Sequence, residues 1–252
     1  MDELVTMEGL PEISKNGTHK RMKKSDSAHL SEKEEEILEY IGKISEDDLT
    51  RSIKRVNIAK ILKCSPALVN KLLKHLEEKG LIHYEKYGEI KLTNKGVQIA
   101  NSLIRKHRLS EALFVDILGL ESSEAHDFAC KFEHIIDDKI ADRIEEVLNN
   151  PSICPHGNPI PSKKTKKKVV RGNQLTSFST NDVVIISQIL KEDTDFLKKL
   201  AKMGIEVGTR IKVIEKSPID GSLLLEINGR NFALGEKTAT NLLAISGKDE
   251  VN

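Results

Sequence analysis

Two stretches of this chain group imidazole, thiol and carboxylate side chains at helical spacing. His107 and Glu111 stand four residues apart, and His126, Cys130, Glu133 and His134 follow as His-x-x-x-Cys-x-x-Glu-His. Both stretches have helical character. At about 100° per residue, positions i, i+4, i+7 and i+8 fall within an arc of roughly 100°, so the second set shares one helix face. Phe128, Phe132, Ile135 and Ile136 fall on the opposite side, the side a core would claim. A solvated face accounts for Glu111 or Glu133 taken alone. It does not suit a thiol, because free cysteine is among the most buried residue types. Imidazole, thiolate and carboxylate together suit a divalent transition ion.

Such donors need elements to hold them. Residues 1–29 are polar with no apolar period, and read as a disordered arm. A first helix starts after Ser31, with Glu34 three residues on as a capping box, and buries Ile37, Leu38, Ile41 and Ile44. A short helix spans about Val56 to Leu62. Ser65 is then a good N-cap and Pro66 suits the first turn of a third helix, which stops at Gly80. Two short strands, Leu81–Tyr84 and Ile90–Leu92, flank a glycine-containing turn. Helix, helix, turn, helix and hairpin make a winged helix-turn-helix. Ser65, Pro66, Ala67, Asn70, Lys71 and Lys74 lie off the buried stripe and face a major groove, and Lys86 in the wing suits the phosphate backbone.

A long helix from Asn94 to about Leu118 carries His107 and Glu111, and one from about Ser123 to Leu148 carries the second set. Cys154-x-His156 sits in a Pro/Gly loop with no second Cys/His pair nearby, and reads as structural. Lys163 to Lys168 is a basic linker. Beyond Thr176 the pattern turns to short strands with Asp-Gly and Asn-Gly turns, a β-rich, barrel-like module.

Charge and cysteine usage narrow the class. The 40 basic and 39 acidic residues nearly cancel, yet Arg51–Lys79 holds eight Lys/Arg against two Glu, while Glu121–Glu146 holds nine acids against three bases. One region suits a polyanion and the other suits cations. Three cysteines do not make a disulfide framework. No apolar run approaches transmembrane length and no signal peptide is evident, so a cytoplasmic protein without a membrane partner is expected. No His-Glu-x-x-His run or nucleophile–base arrangement occurs, so no enzyme is expected.

Arg105-Lys106-His107-Arg108-Leu109-x-Glu111, the second donor set, and Gly157-Asn158-Pro159-Ile160-Pro161 together resemble the diphtheria toxin repressor family of metal-dependent regulators, from about Leu30 onward. The resemblance implies an α+β protein: winged helix-turn-helix over 30–96, helical metal-binding and dimerisation domain over 97–160, basic linker over 161–177, SH3-like (FeoA-like) domain over 178–248. It implies a homodimer on a double-stranded DNA operator, repression as the usual mode, and two sites per subunit for Fe²⁺ or Mn²⁺. The ancillary site would take His107, Glu111 and His126 with a donor from the C-terminal domain. Glu192 and Asp193 both stand near the expected place, and counting back from Ile205 and Gly208 favours Asp193. The regulatory site would take Cys130, Glu133, His134 and a first-helix residue, Glu36 by the register of Leu38 and Ile41.

Overall fold

The computed structural model describes residues 30–47, 53–84, 89–161 and 171–247. The arm over 1–29, Lys86 and the basic stretch 163–168 lie outside them.

The first unit contains α1 (Glu32–Asp47), α2 (Arg55–Ile61), α3 (Pro66–Glu78), β1 (Ile82–Tyr84) and β2 (Ile90–Leu92). The Ser31 N–H donates to Glu34 Oε2 at 2.8 Å, which is the carboxylate half of a capping box. Ser65 caps α3 by accepting from the Leu68 N–H at 3.3 Å, with Pro66 at the first position. The strands pair antiparallel, His83 opposite Lys91. Ile37, Leu38, Ile41, Val69, Leu73 and Leu76 form one core under the hairpin.

The second unit is helical. Thr93 caps α4 (Asn94–Ala112), which then relaxes into a wider turn of π-helix over Leu113–Ile117. α1 lies across α4 at a separation that only glycine permits. A Cβ on Gly42 would come within 2.9 Å of both Ala100 Cβ and Ile104 Cδ1. This close crossing brings the acidic face of α1 up to His107.

The helix expected over Ser123 to Leu148 is two helices, α5 (Ser122–Phe132) and α6 (Asp138–Val147). Asp137 is the cause: its side chain accepts from the Ile140 N–H at 2.9 Å and starts a new helix. Glu133 is therefore the C-terminal cap of α5 and His134 lies in the turn beyond, so the four donors do not share one helix face. The apolar side is also only partly core. Ile136 is buried, but Phe128 and Ile135 are 51% and 77% exposed.

The third unit is a six-stranded antiparallel sheet in the order β3-β8-β4-β5-β6-β7. Its elements are β3 (Asn173–Gln174), β4 (Val183–Ile189), α7 (Thr194–Lys202), β5 (Arg210–Lys216), β6 (Leu223–Ile227), β7 (Arg230–Leu234), α8 (Glu236–Ala239) and β8 (Leu242–Ser246). Register shifts at Ile186/Gln188 and Val213/Glu215 bend the strands around a core of Val184, Ile186, Ile211, Val213, Leu225 and Ala244. Asn173 pairs with Ala244, so the sheet begins inside the stretch read from sequence as linker. Leu242–Ser246, a strand that sequence reading passed over, sits between β3 and β4.

Candidate metal centre

The buried centre of the molecule is polar, not apolar. His107, Glu111, His126, Glu133 and His156 are all buried where α1, α4, α5, the 153–160 loop and the start of α7 converge. Groups this costly to desolvate persist only when paired or ligating.

Two clusters share that centre. In the first, His107 Nδ1 lies 2.6 Å from Glu133 Oε2 and 3.8 Å from Glu39 Oε1. His126 and Cys130 extend it, with Cys130 Sγ 3.5 Å from His126 Nε2. His107, His126 and Cys130 each offer a donor atom within 4.8 Å of the others, and so do Glu39, His107 and Glu133. His134 closes the edge, with Nδ1 2.6 Å from Glu35 Oε2 and Nε2 3.6 Å from Glu133 Oε1. The second cluster is Glu111, Cys154, His156 and Glu192, again within 4.8 Å of one another. Glu111 Oε1 joins the two, lying 3.0 Å from His107 Nε2, 2.8 Å from His126 Nδ1 and 3.2 Å from His156 Nδ1.

The second cluster is assembled by tertiary contacts. Cys154-Pro155-His156-Gly157 is a tight turn, closed by the Gly157 N–H donating to Cys154 O at 2.8 Å. It is pinned to β4, because the Ile189 N–H donates to His156 O at 2.9 Å and Asn158 Nδ2 to Ile189 O at 3.0 Å. Gly157 is at φ +78°, and a Cβ there would lie 2.1 Å from Ser187 O. Ser122 at the start of α5 meets His156 Nε2 at 2.8 Å and leaves Nδ1 facing Glu111.

Several sequence expectations shift here. Asp193 caps α7, accepting from the Phe196 N–H at 3.1 Å, and pairs with Lys191 at 2.5 Å. Those contacts turn its carboxylate away, and the preceding Glu192 is the one that reaches Glu111, Cys154 and His156. On α1, Glu35 contacts His134 and Glu39 faces His107, while Glu36 is felt by His134 only through its charge. Cys154 and His156, read from sequence as a structural loop, are in the second cluster. The i, i+4 spacing of Glu35 and Glu39 and the Cys-x-His turn were the available signals.

The charges explain how carboxylates coexist at this density. Glu39 and Glu133 face His107 together. Burial works against Glu39, but Lys43 and His107 outweigh it and hold Glu39 down to about 2. Burial and then the Glu39 charge push Glu133 up to about 8. Burial opposes protonation of His126, yet Cys130 and Glu111 lift it to about 9. Burial alone would raise the Cys130 thiol, and His107 and His126 pull it down to about 6. Protonated imidazoles thus neutralise carboxylates and a thiolate.

The donor set also leaves capacity unused. Among the described residues, buried Glu111 Oε2 and His134 Nε2 have no hydrogen-bond partner. Buried polar atoms without partners are expensive, so this mix of N, O and S atoms fits divalent-ion binding.

The surface over α3 differs in kind. Ser65, Pro66, Ala67, Asn70, Lys71 and Lys74 are all exposed. Asn70 Oδ1 accepts from Arg55 at 2.9 Å and from the Tyr84 hydroxyl at 3.3 Å, linking α2, α3 and the wing. Lys74 pairs loosely with Glu78 at 3.8 Å, and a pair this exposed adds little.

Comparison with known proteins matches this architecture unit by unit. Residues 29–90 match the family model for the iron dependent repressor N-terminal DNA binding domain, 93–162 the iron dependent repressor metal binding and dimerisation domain, and 173–244 the FeoA domain. The chain is 32% identical over 197 residues to the iron-dependent repressor IdeR of Mycobacterium leprae, covering 73% of this chain and 85% of that protein. It is 30% identical over 210 residues to the diphtheria toxin repressor of Corynebacterium diphtheriae, covering 79% and 91%. The chain belongs to the diphtheria toxin repressor family.

Solved structures agree with that placement. The manganese regulator SloR superimposes with a TM-score of 0.73 at 25% identity, over 86% of this chain and all of its own. A manganese-dependent transcriptional repressor in complex with manganese gives 0.73 at 26%, over 84% and 99%. The three units of this repressor-family chain therefore recur together in proteins of known structure, with mixed helix and sheet throughout.

Proposed function

We propose that this protein is a DNA-binding transcriptional regulator switched by Fe²⁺ or Mn²⁺, acting as a homodimer and repressing metal-uptake genes. The observation that carries the reading is convergence. Donors from the winged unit (Glu35, Glu39), the helical unit (His107, Glu111, His126, Cys130, Glu133, His134) and the β-rich unit (Glu192) meet with Cys154 and His156 at one centre, around buried His107, Glu111, His126, Glu133 and His156. Nothing in ordinary packing calls for that arrangement.

In this reading Glu39, His107 and Glu133, joined by His126, Cys130 and His134, hold one ion, and Glu111, Cys154, His156 and Glu192 hold the other. Glu36, which His134 feels through its charge, remains a candidate for the first. Bound cations would replace the protons of the imidazoles as the positive charge facing the carboxylates, and would hold α1 against α4 and the end of α5. α1 also carries the recognition helix: Glu34 pairs with His75 at 2.5 Å and Lys79 at 3.6 Å on α3. A ligand that prefers one α1–α4 geometry shifts the population of α3 orientations, and DNA binding tightens metal binding in return. Exposed Ile117, Leu118, Phe128, Ile135, Ile140 and Val147 on the helical unit supply an apolar surface for the second subunit. The basic run through α2 and α3 and the exposed face of α3 support duplex DNA as partner. Among the described residues no helix is long and apolar enough to cross a membrane.

The test is selection of binding sites from a random duplex library with Mn²⁺ or Fe²⁺ present, then gel shifts with and without chelator. Binding that needs the metal is expected. Equal binding in chelator would leave a winged-helix protein with an inert cluster.

A further inference from the structure

Lys43 is a half-buried charge that neither donor cluster uses. It stands on α1 one turn after Glu39. Its Nζ lies 2.9 Å from Glu39 Oε1 and 2.8 Å from Glu192 Oε2. Those carboxylates belong to different clusters: Glu39 faces His107 and Glu133, and Glu192 faces Glu111, Cys154 and His156. They also belong to different units of the fold, the first helix of the winged unit and the segment entering α7. The other Glu192 oxygen is held by Asn158 Nδ2, and Asn158 Oδ1 accepts from Gln188 Nε2 at 2.6 Å. Glu192 is therefore fixed in place beneath the ammonium. Burial alone would drive a lysine towards neutrality, but Glu192 and Glu39 overcome it and keep Lys43 charged.

A fixed cation between two cation sites acts on both with one sign. It repels an incoming divalent charge, and it engages an oxygen of one carboxylate from each cluster. In the absence of metal it also removes the repulsion between Glu39 and Glu192 that would otherwise favour metal uptake. Both effects weaken divalent binding.

We propose that Lys43 is a resident cation shared by the two clusters, which bridges the winged and β-rich units in the metal-free protein and sets how much divalent metal is needed to fill both sites. The proposal rests on reading the clusters as metal sites, and the experiment separates the two. Mn²⁺ binding to the full chain is measured by isothermal titration for wild type, Lys43→Met and Lys43→Arg. Lys43→Met, which keeps length and loses charge, is expected to bind Mn²⁺ about tenfold or more tightly, and Lys43→Arg to stay within about threefold of wild type. Measurable binding by wild type with equal or weaker binding by Lys43→Met overturns the role of Lys43 and leaves the metal reading intact. No Mn²⁺ binding by any of the three overturns both. Should Lys43→Met fail to fold, Lys43→Gln, which keeps a donor for the two carboxylates, carries the same expectation of tighter binding and is overturned by the same result.

Discussion

The two clusters at the centre of this protein are built in opposite ways. The first takes most of its donors from two neighbouring helices, α4 and α5, so its chemistry is written in helical spacing. The second takes one residue from α4, two from a loop and one from the segment before α7, so it exists only when the β-rich unit is docked. The first is rich in imidazole and carboxylate, with a thiol at its exposed edge. The second buries its thiol, and burial pushes the Cys154 thiol above its ordinary range. A site spelled mostly by two packed helices tolerates change elsewhere. A site assembled from three elements reports on whether they are together.

His107 is where the comparison is broken most severely, since it faces Glu39 and Glu133 in one cluster and Glu111 at the junction with the other. His107→Ala should lower divalent affinity by about 100-fold or more and abolish metal-dependent DNA binding, read by titration and gel shift. Glu192 separates the clusters. Glu192→Ala should weaken one of two binding events by about 10- to 100-fold and leave the other. Asp193→Ala, next in the chain, should leave metal binding alone and cost about 1 kcal/mol of stability through the lost α7 cap. Equal metal effects from the two variants would return Asp193 to the ligand set.

Acidity should weaken binding, and the sign follows from the charges. His126, lifted to about 9, carries a proton near neutral pH that a metal must displace. Each proton released makes affinity fall by about tenfold per pH unit lowered. Cys130, drawn down to about 6, is a thiolate near neutrality and takes up a proton as pH falls through that value, so the slope should steepen there. Titrations across this range test it, and an affinity flat with pH would remove His126 and Cys130 from the ligands.

The same contrast explains what sequence could reveal. The winged helix, its caps and the β-rich unit follow from local patterns: Ser31/Glu34, Ser65-Pro66, Gly80, and paired apolar runs with Asx-Gly turns. His107, Glu111, His126, Cys130 and Glu133 stood out because helical spacing groups them. His134 was grouped with them by the same spacing, but α5 ends before it and Asp137 starts a new helix, so it reaches Glu35 and Glu133 from a turn. Counting along α1 chose Glu36, but neighbouring acids differ by only about 100° of rotation, and the Gly42 crossing turns Glu35 to His134 and Glu39 to His107. Cys154 and His156 lacked partners in the linear sequence because theirs, Glu111 and Glu192, arrive from other elements. Asp193 was preferred over Glu192 because counting does not reveal which acid a helix spends on its cap.

The smallest expected effect concerns the start of α1, where the acids divide by face. Glu34 points away from the metal-like centre. It accepts from the Ser31 N–H and Oγ and faces His75 and Lys79 of α3, while Glu35 and Glu39 turn towards His134 and His107. One helix thus touches α3 with one side and the two histidines with the other. Glu34→Ala removes the capping contact and the tie to α3, and should cost about 1 kcal/mol in thermal or denaturant unfolding. Mn²⁺ affinity should be unchanged, because no Glu34 oxygen reaches either cluster. If metal acts by repositioning α1, metal-stimulated DNA binding should nevertheless fall modestly, since Glu34 ties α1 to His75 of α3. Unchanged DNA binding in a variant that still binds metal would mean that the orientation of α3 is set through the hydrophobic core alone.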